Sequence, residues 1–181
     1  MPTINGKGQA STLSNDDIDK ILSLASMTYR GVFAIAAFTG CRISEALSLD
    51  AKFLDLKCGS ITFTETKTKT DRTVPIDPEL MEILTGLDLP IHGYLFSSPK
   101  TSGHLTRSGA GKELKAICDD LGLVGVSTHS FRRSLATVLH SNGAPLKSIA
   151  SITGHKSLDS LQRYIDITPE DQRSALALRR R

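Results

Sequence analysis

The sequence predicts a mainly helical domain carrying one small antiparallel β-sheet, an α+β fold, on three observations. Apolar residues recur at three- and four-residue spacing through most of the chain, the repeat of a helix buried on one face. Between Ser60 and Ile76 that repeat gives way to alternation rich in β-branched residues, the pattern of a strand pair. The longest apolar run, around Val32 to Phe38, is far too short to cross a bilayer. A chain of 181 residues suffices for one domain of ordinary size, and 39% hydrophobic residues with no Trp imply a core of Leu, Ile, Ala and Phe.

Residues 1–13 are polar, hold two glycines and no periodicity, and read as a flexible tether. Ser14 with Asp17 three later forms a capping-box pattern that opens a helix through about Ala25. Tyr29 to Phe38 is apolar nearly all round and is expected as a buried helix, interrupted at Thr39-Gly40. Cys41 to Leu49 starts another short helix, with Ile43, Ala46 and Leu47 packing inward and Arg42 and Glu45 sharing a different face. Ser60 to Thr66 is a strand, Lys67 to Asp71 a polar turn tipped with lysines, and Arg72 to Ile76 the returning strand. Pro75 has no N–H to give a neighbour, so that strand is expected at an edge. Pro78 begins a helix through about Leu84.

His92 to Pro99 is a short apolar connection with room for a brief strand, and Leu105 to Leu121 is mostly helical, weakened at its start by Gly109 and Gly111. Ser127 or Thr128 caps a helix to about Ser141, stopped by Asn142-Gly143. Pro145 begins the next helix, ended by Gly154, and Ser157 caps a helix carrying Tyr164. Thr168 to Asp171 opens a last helix, and the chain ends in Arg179-Arg180-Arg181.

Charge is uneven. The net of +3 divides into −3 over residues 1–99 and +6 over residues 100–181, a field that an anionic polymer would follow. Cys41, Cys58 and Cys118 are odd in number and lack metal-ligand spacing, so they read as small buried hydrophobes, reduced in a cytosolic protein.

The basic last third also gathers the reactive side chains. His129 and Arg132, three apart, share one helix face; His155 follows Gly154, and Tyr164 lies nine residues further on. Two imidazoles, a permanent cation and a phenol, with no carboxylate among them, suit a phosphate that is held and then attacked by a phenolic oxygen. Each has a plainer reading alone: Arg42 and Glu45 as a surface ion pair worth little, Lys67 and Lys69 as solvated turn residues, His155 as a satisfied loop residue, Tyr164 as core. His129 near a helix start is odd for a structural cation, because the helix dipole disfavours charge there, and sensible for a base that must be neutral.

Taken together, these residues resemble the catalytic domain of the tyrosine recombinases, the phage-integrase family, over about Ser14 to Thr168. Thr39-Gly40-Cys41-Arg42-Ile43-Ser44-Glu45-Ala46-Leu47 is similar to that family's first-arginine box, and Thr66-Lys67-Thr68-Lys69 ahead of Arg72-Thr73-Val74-Pro75-Ile76 to its lysine-bearing hairpin. His129-Ser130-Phe131-Arg132 matches the His-x-x-Arg box, Gly154-His155 the Gly-His position, and Tyr164 the nucleophile. Phe131 stands where Leu is usual, Arg133 where a second His is common, Thr153 where Leu usually precedes the Gly, and Asp166 where His is frequent. The resemblance implies a tyrosine recombinase catalytic-domain fold over 14–181 with a C-terminal helix from about 168; the family's N-terminal core-binding domain is expected to be absent ahead of the tether, either cut away or naturally lacking as in single-domain members.

What it implies for chemistry is a transfer of a DNA phosphodiester to Tyr164, leaving a 3′-phosphotyrosyl link and a free 5′-hydroxyl. Arg42 and Arg132 present planar forks to the phosphate, His155 adds a donor to the same oxygens, His129 takes the phenol's proton, and Lys67 protonates the leaving oxygen, with Glu45 orienting the cations. Bond energy is conserved through the covalent link, so no ATP, cofactor or metal is expected. The expected partners are double-stranded DNA and further copies of the chain, a tetramer joined through the C-terminal helix. A type IB topoisomerase or a non-catalytic DNA-binding relic of a mobile element are the competing functions; the integrase-like box around Arg42 argues against the first, and retention of Tyr164 against the second.

Overall fold

The helix Met27–Thr39 (α2) is apolar on nearly every face because nearly every face is covered: Val32, Phe33, Ala34, Ile35 and Ala36 are fully buried. In the computed structural model, which describes residues 10–65, 70–99, 101–162, 172–173 and 176–177, the other elements gather around it. Asn15–Leu24 (α1) opens on the capping box read from the sequence, Ser14 Oγ accepting from the Asp17 N–H at 3.1 Å and Asp17 Oδ2 accepting from the Ser14 N–H at 3.0 Å. Ile43–Leu47 (α3) follows α2 after the turn at Gly40.

The sheet has three antiparallel strands in the order β1 (Leu54–Asp55), β2 (Ser60–Glu65), β3 (Thr70–Pro75). Pro75 does lie on an edge strand. β1 goes unseen in the sequence because two residues carry no period. Ile61 faces Val74 and Phe63 faces Arg72 across the pair, and Ile61, Phe63 and Val74 are all buried. The turn between β1 and β2 corrects one expectation: Cys58 is exposed there, its N–H bonded to Asp55 Oδ1 at 2.9 Å, whereas Cys41 and Cys118 are buried.

Pro78–Thr85 (α4) starts with Pro at its first turn, Asp77 capping the Glu79 N–H. The connection from His92 to Pro99 makes no named strand; it is tied by single bridges, Asp50 to Tyr94 and Ser97 to His104. Arg107–Leu121 (α5) leads to Thr128–Ser141 (α6), for which Ser127 is the cap, and Gly143 at φ 81° turns the chain away. Phe131 on α6 is fully buried with its ring 5.5 Å from that of Phe33, so the Phe found where Leu is usual concerns packing. Leu146–Thr153 (α7) and Leu158–Gln162 (α8) close a smaller core of Ala136, Ile149 and Leu161 against α6. The last helix expected from Thr168 opens outside the described residues. No helix among the described residues is long and apolar enough to cross a membrane.

The stretch 10–13, read from the sequence as the end of a tether, is docked. Leu13 is buried and its N–H donates to Ser134 Oγ at 2.7 Å, Ser11 N–H donates to the Gly125 carbonyl at 3.0 Å, and Arg133 Nη1 donates to the Ala10 carbonyl at 2.5 Å. Arg133, which interrupts the family pattern, thus grips the N-terminal stretch.

Candidate active site

The site begins where α2 ends. Gly40 takes the left-handed conformation at φ 60°, and the space a Cβ would need is held by Thr153 Cγ2 at 2.7 Å. The turn sends the buried Cys41 inward and leaves Arg42 at the head of α3. Because Ile43, Ala46 and Leu47 take the buried face, Arg42 faces out, its side chain 40% exposed. Glu45 caps this helix, Oε2 accepting from the Arg42 backbone N–H at 2.6 Å. Its Oε1 is 3.9 Å from Arg42 Nη1 but only 3.2 Å from Arg72 Nη1, so the carboxylate is paired chiefly with Arg72 and the Arg42 fork stays open to the cleft.

Arg132 comes from the other side, on α6, and is 4% exposed. Its Nη1 donates to the Gly40 carbonyl at 2.8 Å and to the Thr153 carbonyl, and its Nε donates to His155 Nε2 at 3.2 Å. A buried guanidinium held by carbonyls and an imidazole keeps its full positive charge for an incoming anion, and it is fixed before that anion arrives.

The bond directions around His155 are forced. A guanidinium can only donate, so Nε2 is the acceptor and the ring's proton sits on Nδ1. Nδ1 lies 2.6 Å from Thr153 Oγ1, which itself donates to the Ile149 carbonyl at 2.6 Å and therefore receives. In this arrangement His155 Nε2 receives from Arg132. Burial first, then the charges of Arg132, Arg42 and Arg72, push its pKa down from 6.5 to about 4.

That shift has a sign for stability. The folded state refuses a proton that the unfolded chain accepts, so stability is full above about pH 6.5 and falls as pH drops toward about 4. Solvent screening at a half-buried ring limits the loss to on the order of 1 kcal/mol. Melting temperatures measured across this window are expected to fall less steeply in His155→Gln than in the unaltered chain; equal slopes would count against the assignment.

His129 occupies the first turn of α6 at the surface, its ring partly covered. Partial burial first, then Arg107, Arg132 and Arg42, lower its pKa, which keeps it neutral and able to take a proton. Cys41, although next to Arg42, is no competing nucleophile: burial pushes its thiol up to about 12.

Arg42, Glu45, Arg72, Gly154, His155 and Lys156 line one cleft, with Arg132 braced behind His155. Of the residues predicted from the sequence, the structure thus brings together Arg42, Glu45, Arg132 and His155, with His129 within electrostatic range. Lys67 and Tyr164 lie outside the described residues. Arg72 is the residue that reading by motif missed. Its guanidinium lies 4.5 Å from the centre of the Phe63 ring, pairs with Glu45 and fills the space where Gly154 lacks a Cβ. A signal existed: Arg72 shares strand parity with the buried Val74, so a charge was due on the inward face.

A helical domain with a three-stranded sheet and arginines converging from the heads of α3 and α6 is the tyrosine recombinase catalytic-domain fold. The chain belongs to the phage integrase family, whose model matches residues 11–171. It is 32% identical over 157 residues to the tyrosine recombinase XerC of Halalkalibacterium halodurans, covering 78% of this chain and 50% of that protein. It is 28% identical over 172 residues to the integrase of Escherichia phage P2, covering 95% and 48% respectively. The chain therefore spans about half the length of these relatives. Among solved structures, the catalytic domain of bacteriophage HP1 integrase superposes with a TM-score of 0.63 at 26% identity, over 86% of this chain and 87% of that one. XerH site-specific recombinase bound to its difH substrate shares the fold, with a TM-score of 0.75 at 24% identity over 96% of this chain and 55% of that one.

Proposed function

We propose that residues 14–181 are the catalytic domain of a site-specific DNA recombinase that cleaves and rejoins double-stranded DNA through a 3′-phosphotyrosyl intermediate, for integration, excision or inversion. The observation that carries this is a pair of guanidiniums about one cleft, Arg42 open on its lining and Arg132 buried and braced behind His155, in a chain of the phage integrase family. The Arg132 fork, fixed before the phosphate arrives, stabilises charge on its non-bridging oxygens with little reorganisation at the moment of reaction, and the open Arg42 fork adds a second cation. Tyr164 Oη attacks phosphorus as the bond to the 5′ oxygen breaks; His129 takes the phenolic proton and Lys67 supplies one to the leaving oxygen. The parts given to Tyr164 and Lys67 rest on the family resemblance.

A nicked duplex suicide substrate tests the reading. A covalent protein–DNA adduct is expected from the unaltered chain and is lost in Tyr164→Phe. No adduct on any integrase-type site would favour a DNA-binding relic, and relaxation of supercoils without exchange a topoisomerase. The activity belongs in the cytoplasm of a bacterial host, on its own or phage DNA.

Self-association on DNA, as a tetramer, fits the same reading. A groove lined by Ile18, Phe38, Leu135 and Val138 carries Asp19 and Glu79 at its rim. The C-terminal sequence offers the complement, Leu176 and Leu178 with Arg173 and Arg179 to Arg181, and Leu176 is 72% exposed. We assign the groove to the C-terminal segment of a second copy. Deleting residues 169–181 is expected to abolish the DNA-bound tetramer; an assembly unchanged by the deletion would sink the idea.

A further inference from the structure

We propose that Arg72 is a positioning residue that holds the Glu45 carboxylate off Arg42 and so keeps the Arg42 fork free for a phosphate. The purpose rests on the strand-exchange reading; the pairing itself stands without it.

Glu45 lies between two guanidiniums. Its Oε2 accepts from the Arg42 backbone N–H at 2.6 Å, which ties the carboxylate to the head of α3 and leaves only Oε1 to choose a partner. Arg72 Nη1 is 3.2 Å from that oxygen and Arg42 Nη1 is 3.9 Å away. A closer pair with Arg42 would fold the fork back onto its own helix, where its N–H groups would be spent on Glu45.

Arg72 is placed to win that competition. Phe63 is its partner across the strand pair, with the ring centre 4.5 Å from the guanidinium carbon. Gly154, lacking a Cβ, leaves the space that the guanidinium fills. Nε and Nη2 of Arg72 are buried and find no acceptor among the described residues, so Glu45 takes the one hydrogen bond this side chain makes there. Buried donors without acceptors are unfavourable, and a fold that retains them here holds a guanidinium with Glu45 as its single outlet. The Arg42 side chain, by contrast, is 40% exposed and has water as an alternative partner.

Arg72→Met tests this, because it keeps an apolar stem on the Phe63 ring and removes the charge. Glu45 Oε1 is then expected to turn to Arg42. Cleavage of a nicked suicide substrate is expected to slow about 10- to 100-fold, less than the roughly 100- to 1,000-fold of losing such a donor outright. Adding Glu45→Gln to Arg72→Met is expected to return most of the rate, since an amide oxygen can still cap the Arg42 N–H but does not trap a cation. In the unaltered chain Glu45→Gln is expected to bring no gain. A fold merely weakened by losing Arg72 would not be mended by a second change in the same pair. A double variant as slow as Arg72→Met overturns the proposal, as does Arg72→Met at the original rate.

Arginine side-chain proton–nitrogen spectra, taken without DNA, separate release of Arg42 from simple recovery of net charge. Rotation of the Arg42 Nη groups is expected fast in the unaltered chain and in the double variant, and slowed in Arg72→Met. Arg42 signals unmoved by Arg72→Met overturn the proposal even where the rates follow it. Absence of any adduct from the unaltered chain overturns the strand-exchange reading instead, and the spectra then decide the part of Arg72 alone.

Discussion

Arg132→Ala is expected to lower single-turnover DNA cleavage by at least about 100-fold, the scale of losing one fixed donor to developing charge. It is also expected to destabilise the fold by roughly 2–4 kcal/mol, since three acceptors lose their donor at about 1–3 kcal/mol each while relief of a buried charge offsets part. Those acceptors are the Gly40 and Thr153 carbonyls and His155 Nε2, drawn from two separated stretches of chain. Arg132→Lys separates the two losses. An ammonium keeps the charge but cannot present Nε and Nη1 along the directions of a planar fork. Much of the stability is expected back in urea unfolding, and little of the rate. Cleavage near the original level in either variant would remove Arg132 from the chemistry.

The second large effect is at Gly154. Gly154→Ala is expected to cost roughly 2–4 kcal/mol, more than its backbone alone explains. A left-handed residue with a Cβ costs about 1–2 kcal/mol, and Gly154 sits at φ 75°. The remainder comes from Arg72. A Cβ there would land on Arg72 Nη1 and 2.8 Å from its Cζ, so the guanidinium would have to leave Glu45 and the Phe63 ring. Gly143→Ala is the control, at φ 81° with nothing within 4 Å of the added carbon, and only the backbone cost is expected. In Arg72→Ala the Gly154→Ala penalty should shrink toward that of Gly143→Ala. Equal penalties at Gly154 and Gly143 in the unaltered chain would show that Arg72 yields freely and ties nothing together.

The helices were legible because each announces itself locally. Ser14 and Asp17 cap α1, the all-apolar run of α2 demands burial, and Pro78, Gly143 and Gly154 punctuate as their backbones require. The hairpin was legible from its alternation, and Pro75 placed its edge. What local pattern could not carry was β1, too short for any period, and the docking of residues 10–13, which depends on Arg133 meeting the Ala10 carbonyl 123 residues away in sequence. Cys58 was misjudged because a thiol's preference for burial yields to a turn that holds its N–H on Asp55.

The site divides the same way. Arg42, Glu45, His129, Arg132 and His155 were named from motif order, and the cleft does collect Arg42, Glu45, His155 and, behind it, Arg132. The pairing was decided only in three dimensions. Glu45 reads along the chain as the partner of Arg42, three residues away, yet its carboxylate lies nearer Arg72, 27 residues on, because the strand brings a guanidinium in against it.

By itself, then, the sequence determined the class of fold, the order of the elements and the reactive residue types, since capping, period and motif spacing are properties of neighbouring residues. Only the tertiary structure decided which carboxylate serves which arginine and why Gly154 must lack a side chain. Those are settled by donors and acceptors that meet across long stretches of chain, and the direction of a hydrogen bond is fixed only when both ends are in place.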